Sequence, residues 1–297
     1  MKTTYYPGCT LKNKAKNLEI SALAALDELG IEVTELERWN CCGAVASLAD
    51  DNLLMHVAPA RVLIRAKDEG SDRLMTLCSQ CYNVLAKTNT LMRKDAEKRD
   101  TINMFMDEET DYFGEVEVVH YLQMLETDVG WEKLKGAVKR PLKNLKAAAY
   151  YGCALARPRN VALDVEKDLF SEFLEALGAI PVHFRGATEC CGAYENLANP
   201  DAGLAQSGRV LQKALHAGAQ ALVLSCPLCD YNLGSKQEAV VANNSALKTL
   251  PVFYFTQLLA AALGLEEHAL QLDLNMDESR SLLKETISAA SPASSST

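Results

Sequence analysis

Two adjacent cysteines followed by glycine occur twice, as Cys41-Cys42-Gly43 and Cys190-Cys191-Gly192, and they restrict the fold more than any other feature. Side chains at i and i+1 point apart, and a disulfide between them would close a strained ring. Each pair must therefore serve something other than its own bond. The other cysteines fall around the pairs, Cys9, Cys78 and Cys81 with the first and Cys153, Cys226 and Cys229 with the second, which accounts for all 10. Cys9 to Cys153 is 144 residues, Cys41 to Cys190 is 149 and Cys78 to Cys226 is 148, so one template is used twice with small loop changes.

The segments between the cysteines say how the template folds. Thr3–Tyr6 has strand propensity and is broken by Pro7-Gly8 just before Cys9. Apolar positions recur at helical spacing over Asn13–Leu29, and Ile31–Leu36 alternates as a strand does. A helical pattern over Leu53–Glu69, a strand at Arg73–Leu77 running into Cys78, a helix over Asn83–Arg99 and a strand at Val116–His120 complete the first pass. The second pass predicts strands at Lys146–Tyr151, Ile180–Phe184 and Ala221–Ser225, each leading toward cysteine, with helices over Val161–Leu177 and Ala202–His216. The strand-to-helix run at Val252–Leu259 matches Val118–Leu125 and places Tyr254 where the first pass has His120, which reads as a packed strand-end histidine. Strands alternating with helices of 12 or more residues imply α/β architecture: two pseudo-repeated units, each a small, mostly parallel sheet with helices on both faces. The expected boundaries are 1–132 and 146–265 for the two units, 133–145 for a Lys-rich linker, and 266–297 for a C-terminal extension whose low-complexity tail from Ser288 is expected to be disordered. Ligands of such sheets sit beyond the carboxyl ends of the strands, where all the cysteine groups lie, so the thiols should converge.

Composition excludes some functions. The 297 residues suit two domains, and 48% hydrophobic with 23% charged residues is ordinary for a globular protein. No apolar run reaches a membrane span. A net charge of −9 argues against a general nucleic-acid binder, which needs a basic face. The opening residues Met1–Cys9 carry neither the apolar core nor the cleavage site of a secretory signal, so the expected compartment is the cytoplasm, where clustered cysteines act as ligands or redox groups rather than structural disulfides.

Five thiols per unit narrow the chemistry. Tetrahedral zinc takes four ligands, which leaves one thiol of each set idle; a redox dithiol leaves more. An iron-sulfur cluster spreads several irons over a few ångströms, so adjacent cysteines can reach different irons and more than four thiolates find use. The pattern favours iron-sulfur, with zinc or dithiol chemistry, or one cluster and one zinc, as alternatives. Gly43 and Gly192 let backbone N–H groups approach the sulfurs without a Cβ in the way. Lys12, Lys14 and Lys16 after Cys9, and Arg157 and Arg159 after Cys153, place cations at expected helix starts in both units, as neutralisers of an anionic site or as holders of an anionic substrate; Trp39 could shield the first thiol set from water.

The doubled Cys...Cys-Cys-Gly...Cys-x-x-Cys pattern resembles the cysteine-rich CCG domains of the B subunit of heterodisulfide reductase over residues 1–265. The resemblance implies a catalytic polypeptide with two noncubane 4Fe-4S clusters, one bound by Cys9, Cys41, Cys42, Cys78 and Cys81, the other by Cys153, Cys190, Cys191, Cys226 and Cys229. It implies reductive cleavage of the mixed disulfide of coenzyme M and coenzyme B, or a related disulfide, lodged between the clusters. It also implies electron delivery by the ferredoxin-like C subunit and the flavin-containing A subunit of such a reductase. Gly43 departs from the proline common at that place in methanogen enzymes and matches B-type proteins of other complexes, some of which serve dehydrogenases or other reductases as electron carriers.

Overall fold

Strand-forming runs in this chain are short, and each ends where a glycine, proline or helix start cuts it off. The computed structural model describes residues 2–44, 53–163, 167–244 and 246–290. In the first half, strands β1 (Lys2–Tyr6), β2 (Glu32–Glu35), β3 (Arg73–Thr76) and β4 (Glu117–His120) form a parallel sheet in the order β2-β1-β3-β4. In the second, β5 (Lys146–Ala149), β6 (Ile180–Pro181), β7 (Ala221–Leu224) and β8 (Val252–Tyr254) repeat it as β6-β5-β7-β8. The expected α/β fold with two parallel sheets is present, and the same order twice is the structural form of the sequence repeat. From β1 the chain crosses to one side for β2 and to the other for β3, so the sheet's ligand crevice lies where Cys9 and Cys78 emerge.

Several helices differ from their predicted extents. The helix expected over Asn83–Arg99 begins at Ser79, stops at Lys94 and restarts as Ala96–Phe105, with Asp95 accepting from Lys98 N at 3.1 Å. Asp95 favours a cap over a helix interior, which explains the break. Among the described residues of Val161–Leu177 only Leu169–Ala176 is helical; residues 157–163 are bends, turns and irregular chain, and 164–166 lie outside the described residues. The strand expected over Ile180–Phe184 shrinks to Ile180–Pro181; in this edge strand Ile180 N and Val182 N donate to Leu145 O and Ala147 O, so Pro181 is tolerated between them.

The halves are packed as one body. The segment expected as a linker carries most of a helix, Trp131–Ala137, and buries Leu134, Leu142 and Leu145; Lys139 N and Arg140 N both donate to Ala262 O at 2.9 Å. The Lys16–Glu28 helix of the first half lies against Phe255–Ala262 of the second, where Ser21 Oγ donates to Thr256 Oγ1 at 2.7 Å and Thr256 Oγ1 to Leu18 O at 3.1 Å. Asn275, in the C-terminal extension, joins both halves by accepting from Asn17 Nδ2 and Gln257 Nε2. The extension ends in a helix, Asp277–Ala290, which includes the first three residues of the expected tail; residues 291–297 lie outside the described residues.

Candidate functional site

Three loops bring the first thiol set together beyond the carboxyl ends of β1, β2 and β3. Gly8, at φ +73°, turns the chain after β1, and a Cβ there would lie 3.2 Å from Cys81 Sγ, so glycine serves both the turn and the approach of the sulfur. Cys9 Sγ lies 3.5 Å from Cys41 Sγ, and Cys42 Sγ 3.4 Å from Cys81 Sγ. Cys78 caps the Ser79–Lys94 helix and Cys81 sits in its first turn. Cys9 and Cys41 are exposed, whereas Cys42, Cys78 and Cys81 are buried.

The second set repeats this arrangement. Gly152 turns the chain after β5 at φ +64°, Cys226 caps the Pro227–Asp230 helix and Cys229 lies within it. Thiol contacts link Cys153 to Cys190 and Cys229 to both Cys191 and Cys226. Gly192 N donates to Cys190 Sγ at 3.3 Å, and Gly43 N–H likewise reaches Cys41. The two sets meet: Cys78 and Cys226 are within hydrogen-bonding reach of each other, Ser79 N donates to Ser225 O at 3.3 Å, and the hydroxyls of Ser79 and Ser225 are bonded.

The donor set can be tested against the group it suggests. Among the described residues no three His, Cys, Asp or Glu side chains converge on one point as a mononuclear metal site requires. The sulfurs are instead strung out in pairwise contacts, which suits a group with several metal atoms better than one tetrahedral ion. Their protonation says the same. Hydrogen bonding with Cys41 and Cys81 holds Cys42 down to about 4, and the contact with Cys42 is the chief cause of the raised values of Cys41 and Cys81. In the second set, bonds from Cys153 and Cys191 hold Cys190 to about 2, while Cys190 is the chief cause of the raised values of Cys153 and Cys191. Thiols packed this closely can all lose their protons only around compensating positive charge, which bound iron supplies.

A cleft of about 410 Å³ opens between the halves, with Gly43, His56, Gln80 and Lys87 on one wall and Cys153 and Arg157 on the other. A narrow crevice continues from it, sharing Gln80, Cys153 and Tyr194, and reaches Cys190, Cys191, Cys226 and Cys229. Of the candidate cations, Arg157 lies in this cleft. Lys12 is instead held by Glu19 at 2.8 Å and Glu35 at 2.6 Å, and Arg159 is exposed outside the lining. The helix-start argument holds for Lys16, the first residue of its helix, but not for Lys12 and Lys14, which precede it, nor for Arg157, the C-cap of Gly152–Ala156, where the helix dipole favours a cation. Trp39 packs edge-on against Tyr6, with ring centroids 6.2 Å apart.

Sequence reasoning passed over residues that build the site. Tyr6 OH donates to Asn40 O at 2.8 Å and Tyr150 OH to Glu189 O at 2.7 Å, so in each half a buried tyrosine ties the end of its strand to the residue before the cysteine pair. Their spacing, 144 residues like that of Cys9 and Cys153, was the available signal. Both phenols are pushed well up, first by burial and then by the surrounding thiols. Tyr194 joins the halves, accepting from Gln80 Nε2 at 2.8 Å and donating to Ala44 O at 3.1 Å, and Asn83 Nδ2 donates to Ala154 O at 2.7 Å.

Two like sheets that carry ten cysteines to one shared place define a cysteine-rich α/β protein built by internal duplication. The model of the CCG cysteine-rich domain matches residues 3–86 and 147–234, and the chain belongs to this family. It is 32% identical over 289 residues to the 8-methylmenaquinol:fumarate reductase membrane anchor subunit of Wolinella succinogenes, covering 94% of this chain and 98% of that one. It is 30% identical over 283 residues to the B subunit of the ferredoxin/F(420)H(2)-dependent CoB-CoM heterodisulfide reductase of Methanosarcina acetivorans, covering 92% and 93%. A crystal structure of a hypothetical protein from Helicobacter pylori shares the fold, with TM-score 0.74 and 16% identity over 92% of this chain; the chain spans about half, 51%, of that one. The chain is a redox subunit of the oxidoreductase class. No helix among the described residues is long and apolar enough to cross a membrane.

Proposed function

We propose that this chain is the catalytic iron-sulfur subunit of a cytoplasmic multi-subunit reductase, and that it reduces a small anionic disulfide in the cleft between its halves. Cys9, Cys41, Cys42, Cys78 and Cys81 would hold one noncubane 4Fe-4S cluster, and Cys153, Cys190, Cys191, Cys226 and Cys229 the other. When bound, such clusters store and pass single electrons. The observation that carries the reading is the meeting of the two thiol sets at Cys78 and Cys226 beside a cleft that reaches Cys153. Two one-electron groups that close suit a two-electron bond cleavage, and one cleft suits one substrate.

The chain's own residues supply the rest. Arg157 and Lys87, on opposite walls, bind the anionic ends of the substrate. Met55, Val84 and Pro158 line the cleft with apolar surface that displaces water from the disulfide. Tyr194, Gln80 and Asn83 brace the walls against each other. Electrons would arrive from a ferredoxin-type protein like the C subunit of heterodisulfide reductase and a flavoprotein like its A subunit, since the chain has no cysteines beyond the ten for a relay cluster and no glycine fingerprint for a flavin.

A second reading, an electron-carrying subunit of a dehydrogenase or other reductase that cleaves no disulfide, is favoured by the 32% identity to a quinol:fumarate reductase polypeptide over nearly its full length. Anaerobically reconstituted protein, reduced with viologen, separates the two. Reoxidation by the mixed disulfide of coenzyme M and coenzyme B supports the first reading. Reoxidation by 2-methyl-1,4-naphthoquinone alone replaces it with the second.

A further inference from the structure

Reducing a disulfide takes protons as well as electrons. Two electrons from a reduced iron-sulfur donor break the S–S bond and leave two thiolates, which need two protons to depart as thiols. Few groups in the cleft can give one. Cys153 belongs to the thiol set, an arginine keeps its proton at any physiological pH, Lys87 is taken up by an anionic end of the substrate, and the amides of Gln80 and Asn83 do not ionise. Tyr194 donates its hydroxyl hydrogen to Ala44 O. Histidine is the side chain that ordinarily exchanges a proton between about pH 5 and 8, and the cleft contains one, His56.

His56 is placed as a proton donor requires. It stands where the Leu54–His56 turn runs into the Val57–Asp68 helix, 8% exposed, and it lines the cleft. Its Nδ1 lies 2.7 Å from the hydroxyl of Thr88, a wholly buried residue of the Ser79–Lys94 helix, while Nε2 has no protein partner among the described residues. A core histidine would pair both nitrogens, as His120 does with Leu77 O and Leu122 N. The charged groups around it are Lys87 on the Ser79–Lys94 helix, Lys98 on the Ala96–Phe105 helix and, across the cleft, Arg157 and the thiol of Cys153. Burial first, then Lys87 and Lys98, lower the basicity of the ring, so its acid form gives up a proton readily and regains it when negative charge appears in the cleft.

Resting on the reading of the cleft as the reduction site, we propose that His56, oriented by Thr88, is the proton donor of that reduction. In its acid form Nδ1–H donates to Thr88 Oγ1 and Nε2–H faces the cleft. The Nε2 proton passes to one departing thiolate, neutral imidazole remains with Nδ1–H still on Thr88, and water supplies both the second thiolate and the return of the proton to His56. Thr88 is a positioning residue.

The test uses reconstituted full-length protein, reduced methyl viologen as donor and the mixed disulfide of coenzyme M and coenzyme B as acceptor, from pH 5 to 8. Wild-type kcat should fall with rising pH through one ionisation below histidine's ordinary value. His56→Ala should lower kcat about 100-fold with little change in KM, abolish that pH limb and recover activity with added imidazole. Thr88→Val should give a smaller kcat loss. On the metal-free chain, the ¹⁵N signals of the His56 ring should titrate below the ordinary histidine value and move with Thr88→Val. If His56→Ala keeps both kcat and the pH limb, the proposal falls and the reading of the cleft stands. If wild type is not reoxidised by the disulfide at any pH, both fall. If His56→Ala does not fold, Thr88→Val decides, and an unchanged pH limb in it overturns the proposal.

Discussion

His120 makes the stability of this protein depend on acid in a way that can be isolated. The ring is wholly buried at the end of β4, edge-on to Tyr82 at 5.7 Å and stacked on Phe255 at 5.9 Å. Nε2 lies 3.1 Å from Leu77 O and Nδ1 accepts from Leu122 N at 3.3 Å, so the neutral ring with hydrogen on Nε2 satisfies both partners and a second proton would face an N–H. Burial pushes the imidazole down to about 3, with the Leu77 carbonyl opposing in part. The unfolded chain takes up that proton near 6.5, so below this value the unfolded state binds more protons and stability rises with pH. The contribution is complete above about pH 6.5 and is lost as pH falls toward 3. Between pH 7 and 5, two such values give a loss of about 2 kcal/mol. His120→Gln keeps an amide N–H for Leu77 O and does not titrate. Denaturant unfolding of both proteins at pH 7, 6 and 5 should show the wild-type advantage shrinking by about 2 kcal/mol across that range, while groups common to both cancel. A difference that stays level to within about 0.5 kcal/mol would refute the argument.

Three further perturbations test the architecture of the site. Gly192→Ala places a Cβ 2.8 Å from Gly203 O at φ +87°, and should cost at least about 2 kcal/mol in unfolding measurements. Tyr6→Phe and Tyr150→Phe each remove one hydroxyl bond to the residue before a cysteine pair, and each should lower stability by about 0.5–1.5 kcal/mol while reducing iron bound per chain only in its own half. Cys229→Ala should roughly halve the iron found by metal analysis after reconstitution, because its thiol contacts are to Cys191 and Cys226; loss of all iron would mean that the two sets bind as one.

What was legible followed from period and spacing. Short strands ending in Pro7-Gly8 or Gly152 and helices stopped by Gly30 and Gly178 are local signals, and the 144- to 149-residue repeat multiplied them, so both sheets were readable. Segments whose form depends on tertiary neighbours were not. The 133–145 segment is Lys-rich like a linker, yet it packs because Lys139 and Arg140 find Ala262 O across the molecule. Arg157 reads the same as Arg159 in sequence; only the end of the Gly152–Ala156 helix turns one into the cleft and leaves the other outside. Tyr6, Tyr150, Gln80 and Tyr194 work through backbone carbonyls or the opposite half, and no local pattern marks such partners.

The duplication also explains why a symmetric template makes an asymmetric site. Two equal halves would offer two equal clefts, one over each Cys-x-x-Cys helix. In the first half that helix runs uninterrupted from Ser79 to Lys94 and carries Gln80, Asn83, Lys87 and Thr88 along the cleft. In the second it ends at Asp230 and passes into a π-helical turn over Tyr231–Ser235, so the positions matching Lys87 and Thr88 leave the helical face. The turn instead sends Asn232 toward Cys191, donating to its carbonyl at 3.4 Å and its sulfur at 3.5 Å. One copy of the helix lines the cleft, and the other turns Asn232 inward onto its own cysteine pair. The single cleft therefore needs both halves: the first lines it with Gln80, Asn83, Lys87 and Thr88, and the second with Cys153 and Arg157.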